Sequence, residues 1–286
     1  MKNRWLFIAG SFGLLALSGF GLYSCSKDDN NNNDAYLESA RDESTADYLF
    51  SDVFNQVDLA TRQLENELFG PGNPKSFSDG GCATTYITPF DTITWPKTVT
   101  IDFGETNCEG ADGKYRRGVI SALITGRYRD SLTVVTITPE NYFVNDYKAE
   151  GLKTVTNLGH ITGGLMTFDI DIQDGLITKP DGRQFLYESE RTRVWIEGES
   201  TAWPAVMDDV FELTGFADGT TYDSIDFHIG ISVPLRIERD CRWIVSGALE
   251  ITPEGLAART LDYGDGECDN NATLKVNGNT YEITLP

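Results

Sequence analysis

Between Ser44 and Phe69 the apolar residues Leu49, Val53, Val57, Ala60, Leu64 and Leu68 recur at intervals of three and four. That spacing lays them along one stripe of an α-helix, and Phe50 and Phe54 widen the stripe. Ser44 with Asp47 three residues later reads as a capping arrangement at its start, and Gly70-Pro71 as its stop. After Gly81 the pattern changes to a period of two, rich in Thr, Val, Ile, Tyr and Phe. It predicts strands over 97–104, 117–128, 132–138, 152–157, 164–173, 184–196, 209–216, 224–237, 242–251, 258–263, 272–276 and 280–285. Asp112-Gly113, Asp174-Gly175, Asp181-Gly182, Asp218-Gly219 and Asn277-Gly278 supply turn chemistry. A second long helical stripe is missing, which argues against βαβ crossovers and a parallel sheet. The fold class is therefore mainly β: an antiparallel meander with one N-terminal amphipathic helix, either an open half-barrel around that helix or a sandwich.

Part of the β pattern occurs twice. Thr100-Ile101-Asp102-Phe103-Gly104 leading to Cys108 matches Thr260-Leu261-Asp262-Tyr263-Gly264 leading to Cys268. A further cysteine lies upstream, Cys82 26 positions before Cys108 and Cys241 27 before Cys268, with a proline, Pro96 or Pro253, between each pair. The start of a hairpin's first strand lies beside the end of its second. The pairing expected is thus Cys82–Cys108 and Cys241–Cys268, bounding hairpin units 82–108 and 241–268. The spacings lack the paired C-x2-C doublets of a zinc site.

The first residues differ in character from the rest. Lys2 and Arg4 precede an apolar run from Trp5 to Leu22, the layout of a secretory signal over residues 1–24. Leu22-Tyr23-Ser24-Cys25 resembles the lipobox of bacterial lipoproteins, in which the cysteine is lipidated and the chain is cut before it. Ser26, Lys27, Asp28 and Asp29 after Cys25 resemble the export signal that Bacteroidetes use to display lipoproteins outside the outer membrane. Residues 25–37 read as a lipidated, Asp/Asn-rich disordered tether, and 38–286 as a single β-rich domain. The expected location is the outer membrane, lipid-anchored through acyl chains on Cys25 and exposed at the cell surface.

Charge narrows the partners. The formal net charge of −21 becomes −23 once Lys2 and Arg4 leave with residues 1–24. No Lys/Arg run exceeds Arg116-Arg117, so nucleic acid is not an expected partner. The two histidines, His160 and His228, lie in separate strand-rich stretches. Neither a G-x-S-x-G elbow nor a Gly-rich phosphate loop occurs, so the expectation is a non-enzyme without a cofactor.

Two clusters carry weaker chemistry. Asp262, Asp265 and Asp269, with Glu267, offer oxygen ligands to Ca2+, although tight turns need the same residue types. Arg191, Arg193, Trp195 and Glu197 alternate on one face of a predicted strand. With Trp203, the residues Trp195 and Arg193 form a candidate glycan-stacking surface, the alternative being tryptophans in the core.

The mature chain resembles a family of uncharacterised Bacteroidetes outer-membrane lipoproteins. The resemblance is carried by Asp52-Val53-Phe54-Asn55-Gln56-Val57-Asp58, Trp95-Pro96-Lys97-Thr98-Val99 through Gly104, Glu190-Arg191-Thr192-Arg193-Val194-Trp195, Cys241-Arg242-Trp243 and Leu261-Asp262-Tyr263-Gly264. It implies an envelope location and one β-rich unit, and brings no catalytic residues. The functional expectation is a non-catalytic binding or interaction module for a glycan or envelope protein. The alternative is a periplasm-facing carrier or chaperone that holds an apolar ligand in a curved sheet.

Overall fold

The computed structural model describes residues 29–69, 82–91, 93–201 and 207–286. The signal segment, Cys25, Ser26, Lys27, Asp28 and Trp203 lie outside the described residues. Among the described residues one helix, α1 (Asp29–Phe69), is followed by strands only. These are β1 (Thr84–Thr88), β2 (Lys97–Asp102), β3 (Cys108–Glu109), β4 (Tyr115–Ile124), β5 (Val134–Val144), β6 (Tyr147–Thr162) and β7 (Leu165–Thr178). The series continues with β8 (Gln184–Glu197), β9 (Val210–Thr220), β10 (Asp226–Glu238), β11 (Ile244–Pro253), β12 (Arg259–Asp265), β13 (Asn271–Val276) and β14 (Asn279–Thr284).

All strands belong to one antiparallel sheet in which sequence neighbours pair, β3 alone lying off the path against β4. The sheet remains open and curls around α1, which touches strands as far apart as β2 and β13. A half-barrel around the helix is therefore the architecture, and the sandwich is excluded. Curvature comes from bulges within the strands. At Gly118 and Gly247 the backbone has φ of +93° and +109°, where the register of β4 and β11 shifts. A Cβ at Gly118 would lie 2.0 Å from the Asn141 carbonyl oxygen, so only glycine lets the strands approach while bending.

Several sequence expectations need correcting. The helix begins at Asp29, inside the stretch read as a disordered tether. No proline or glycine interrupts 29–69, and early acids suit the positive end of the helix dipole. Ser44 is not a cap: it sits mid-helix and its hydroxyl donates to the Ala40 carbonyl at 3.0 Å. Asp174-Gly175 and Asp218-Gly219 lie within β7 and β9 instead of in turns. There glycine makes room, since a Cβ would meet the Tyr187 carbonyl at 2.1 Å and the Phe227 ring at 2.3 Å. Asn277-Gly278 does form the expected hairpin turn, both residues having positive φ.

Both disulfides join as expected, Cys82–Cys108 with Cα atoms 5.5 Å apart and Cys241–Cys268 with 5.7 Å. The repeat is also structural. Asp102 accepts the Gly104 amide and Asp262 the Gly264 amide, and the aromatic between them, Phe103 or Tyr263, is buried.

Candidate functional site

Between Leu37 and Thr61, helix α1 is buried on most of its surface. Leu49, Val53 and Val57 lie in the core, as the apolar stripe predicts, but so do Asp42, Glu43, Asp52 and Asp58 from its other faces. A helix inside a curved sheet can bury acids only if the sheet supplies cations, because a lone buried charge costs several kcal/mol. The concave face does so. Arg116 of β4 grips Asp52 through Nε at 3.0 Å and Nη2 at 2.6 Å, and also holds Asp112. Lys114 and the Tyr142 hydroxyl complete the Asp52 cluster at 3.0 and 2.7 Å. Lys179, just past β7, meets Glu38 and Asp42, and Arg239, just past β10, meets Asp58 at 2.8 Å. Arg191 of β8 pairs with Glu43 at 2.5 Å and Asp47 at 3.3 Å.

Titration follows these contacts. The Arg116 guanidinium and hydrogen bonds outweigh burial at Asp52 and hold its carboxyl below the ordinary range. Burial raises the Glu43 carboxyl to about 7, aided by the neighbouring Asp47 charge, since the two acids share Arg191.

Two buried cations on the same concave face have no carboxylate at ion-pair distance among the described residues. Lys153 of β6 is 6 % exposed, and its ammonium donates only to the Phe50 backbone carbonyl at 3.0 Å. Burial, reinforced by the Arg193 charge, lowers it to about 7. Arg193 of β8 is 8 % exposed and donates through Nη2 to the Tyr128 hydroxyl at 2.8 Å, leaving Nε without a partner. Its guanidinium lies 4.6–4.9 Å from the ring centroids of Phe54, Phe168 and Phe211. Both side chains line a cavity of about 230 Å³ between α1 and the concave face of the sheet, from Lys153 of β6 to Ile244 of β11 and Tyr263 of β12. Ile170, Ile172 and Leu213 give it apolar walls, and the buried Ser189 hydroxyl in its lining has no partner.

The outward binding surface read from the sequence is not formed as expected. Trp195 is fully buried, packed on Phe211 at 5.4 Å with Arg129 over its ring at 4.8 Å. The polar-looking face of β8 points inward, toward the acids of α1. Arg193 therefore belongs to the interior cavity. Comparison of the chain with family models, curated proteins and solved structures finds no match.

The candidate Ca2+ ligands do not converge. Asp262 is taken by Lys275 at 2.9 Å and by the Gly264 amide, while Asp269 accepts the Asn271 amide at 2.9 Å. Together with Asp265 they line an open depression, yet no metal-holding group of three or more His, Cys, Asp or Glu occurs among the described residues. Turn formation uses their oxygens instead. The histidines stay apart: His160 faces Glu199 at 2.6 Å and His228 faces Asp218 at 2.8 Å, both at the surface.

Sequence reasoning missed Lys153, Ser189 and Arg191 as site residues. For Arg191 the signal was present in the acids of 42–58 and in its spacing of two from Arg193, whereas Lys153 and Ser189 carried none.

Proposed function

We propose that the chain is a non-catalytic binding module of the cell envelope, lipid-anchored through Cys25 and displayed on the outer membrane. Its ligand is held in the cavity under α1. The observation that carries this reading is a pair of buried cations without an ion-pair partner, Lys153 and Arg193, lining a cavity of mixed polar and apolar walls whose carboxylates Asp47 and Asp52 are held by Arg191 and Arg116. Buried polar groups without partners are rare in folded proteins and concentrate where a ligand completes them. A glycan platform of outward tryptophans loses its main support with Trp195 in the core. A carrier holding an acyl chain along the whole concave face would need a continuous apolar lining. That face instead holds α1 and its ion pairs.

Native mass spectrometry of the full chain, released from envelopes of a Bacteroidetes host, tests the site. The expected result is a bound small molecule that is absent from the Leu213→Trp variant, in which indole fills the cavity. A wild-type chain without an adduct overturns the reading. Location is tested by protease shaving of intact cells. The wild type should be digested, whereas a chain with Lys27, Asp28 and Asp29 changed to alanine should be protected.

A further inference from the structure

The chemistry of the ligand follows from what the cavity lacks, given the reading that the cavity is a ligand site. Every other sheet cation named above as facing α1 meets a helix carboxylate: Arg116 meets Asp52, Lys179 meets Asp42, Arg191 meets Glu43 and Arg239 meets Asp58. Lys153 and Arg193 are as buried as these and meet none. The carboxylates in the cavity lining are already committed, Asp47 to Arg191 at 3.3 Å, Asp52 to Arg116 at 2.6 Å and Glu238 to Arg236 at 2.6 Å, so the element missing beside Lys153 and Arg193 is one further anionic group. Arg193 Nε and the Ser189 hydroxyl, both without partners, supply donors on the same lining.

We propose that the cavity binds a small amphiphilic carboxylate, its charged end between Lys153 and Arg193 and its apolar body against Ile170, Ile172, Phe211 and Leu213. A guanidinium fork and an ammonium suit a planar carboxylate. Size sets the length of the apolar part. A dry cavity of about 150 Å³ holds benzene, and drug-sized ligands occupy about 300–1,000 Å³. At about 230 Å³ the space accepts a body of roughly five to eight carbons. The acidic surface repels free anions, so binding must come from the enclosed site and not from general attraction.

The test is isothermal titration of the refolded or native full chain with octanoate, and with octanol, octylammonium and sulfate as comparisons. Octanoate should bind one to one, with octanol at least tenfold weaker and octylammonium and sulfate not bound. Arg193→Met and Lys153→Met should each weaken octanoate at least tenfold. Leu213→Trp should abolish binding while leaving both cations in place. Circular dichroism checks that each variant is folded, and Leu213→Trp keeps the test independent of any charge variant that fails to fold. Octanol binding as well as octanoate, or no saturable octanoate binding in the millimolar range, overturns the carboxylate assignment. If the native chain still carries another adduct by mass spectrometry, the cavity remains a ligand site for a different class. If it carries none, both readings fall together.

Discussion

The two walls of the half-barrel treat buried charge in opposite ways. On the β4 side, Arg116 is enclosed by two acids and so remains charged, and Asp52 is held ionised by three donors. On the side of β6 and β8, Arg191 still pairs with Glu43, but Lys153 and Arg193 rest on a carbonyl, a tyrosine hydroxyl and aromatic faces. The first wall is a fastener between helix and sheet. The second is unfinished as an electrostatic arrangement, and the difference separates the part that holds the fold from the part available to a ligand.

The sharpest way to break the contrast is to remove one cation from each wall. Arg116→Met strands Asp52 in the interior and should cost about 3–5 kcal/mol in urea unfolding. Lys153→Met removes a charge that has no acid to abandon, and should change stability by less than about 1 kcal/mol or raise it. Equal losses would erase the distinction.

The disulfides should report almost as large an effect without distinguishing the walls. Removing Cys82–Cys108 or Cys241–Cys268 as a serine pair should each cost about 3–4 kcal/mol, because the bridged loops are nearly equal in length. Thermal unfolding of the two double variants would check this, and a clear inequality would point to unequal structure in the unfolded chains.

A pH series sharpens the contrast further. Folded Lys153 loses its proton near pH 7, whereas the unfolded chain keeps it into the ordinary lysine range. Above pH 7 the unfolded state therefore binds more protons, and stability from this group should rise by about 1–3 kcal/mol between pH 7 and 9. Below pH 7 both states are protonated and its contribution is flat. Glu43, raised to about 7, acts below that point with the opposite sign, since the folded state holds the extra proton and stability falls as pH climbs toward 7. Urea midpoints from pH 5 to 9 should pass through a minimum near 7, and Lys153→Met should abolish the rise above it.

The smallest effect belongs to the exposed face. Arg236, half-buried at the surface, bridges Glu197 at 3.1 Å and Glu238 at 2.6 Å. Arg236→Ala should cost under about 1 kcal/mol by thermal melting, which sets the scale against which the interior pairs are judged.

Much of the frame was legible in the residues. The helix stripe at Leu49, Val53 and Val57, the long alternating strands and the cysteine pairs within the repeat all follow from period and spacing. Alternation assigns two faces to a strand, however, and does not say which one is inside. In β8 the face carrying Arg191 and Arg193 looks solvent-exposed until the acids of α1 are placed against it, and Trp195 then becomes core. Asp-Gly pairs were ambiguous for a related reason: the same dipeptide closes a turn or lets a strand bend past its neighbour. Lys153 carries no signal of its own. Only the tally of acids on the helix against cations on the sheet reveals that it lacks a partner.

The meander also dictates an order of assembly. Apart from the short β3, which leaves β2 to pair with β4, each strand pairs with its sequence neighbour, so hairpins can form one after another at little loop-closure cost. The helix is different. Its Glu43 and Asp47 lie close enough to Tyr263 of β12 to alter its ionisation, so an early-synthesised segment waits for one of the last. During synthesis α1 holds a row of acids whose partners arrive in turn, Arg116 first and Arg239 much later. Closing the sheet around it becomes the committing event, and pulse-labelled hydrogen exchange should find β6 and β7 protected before the helix.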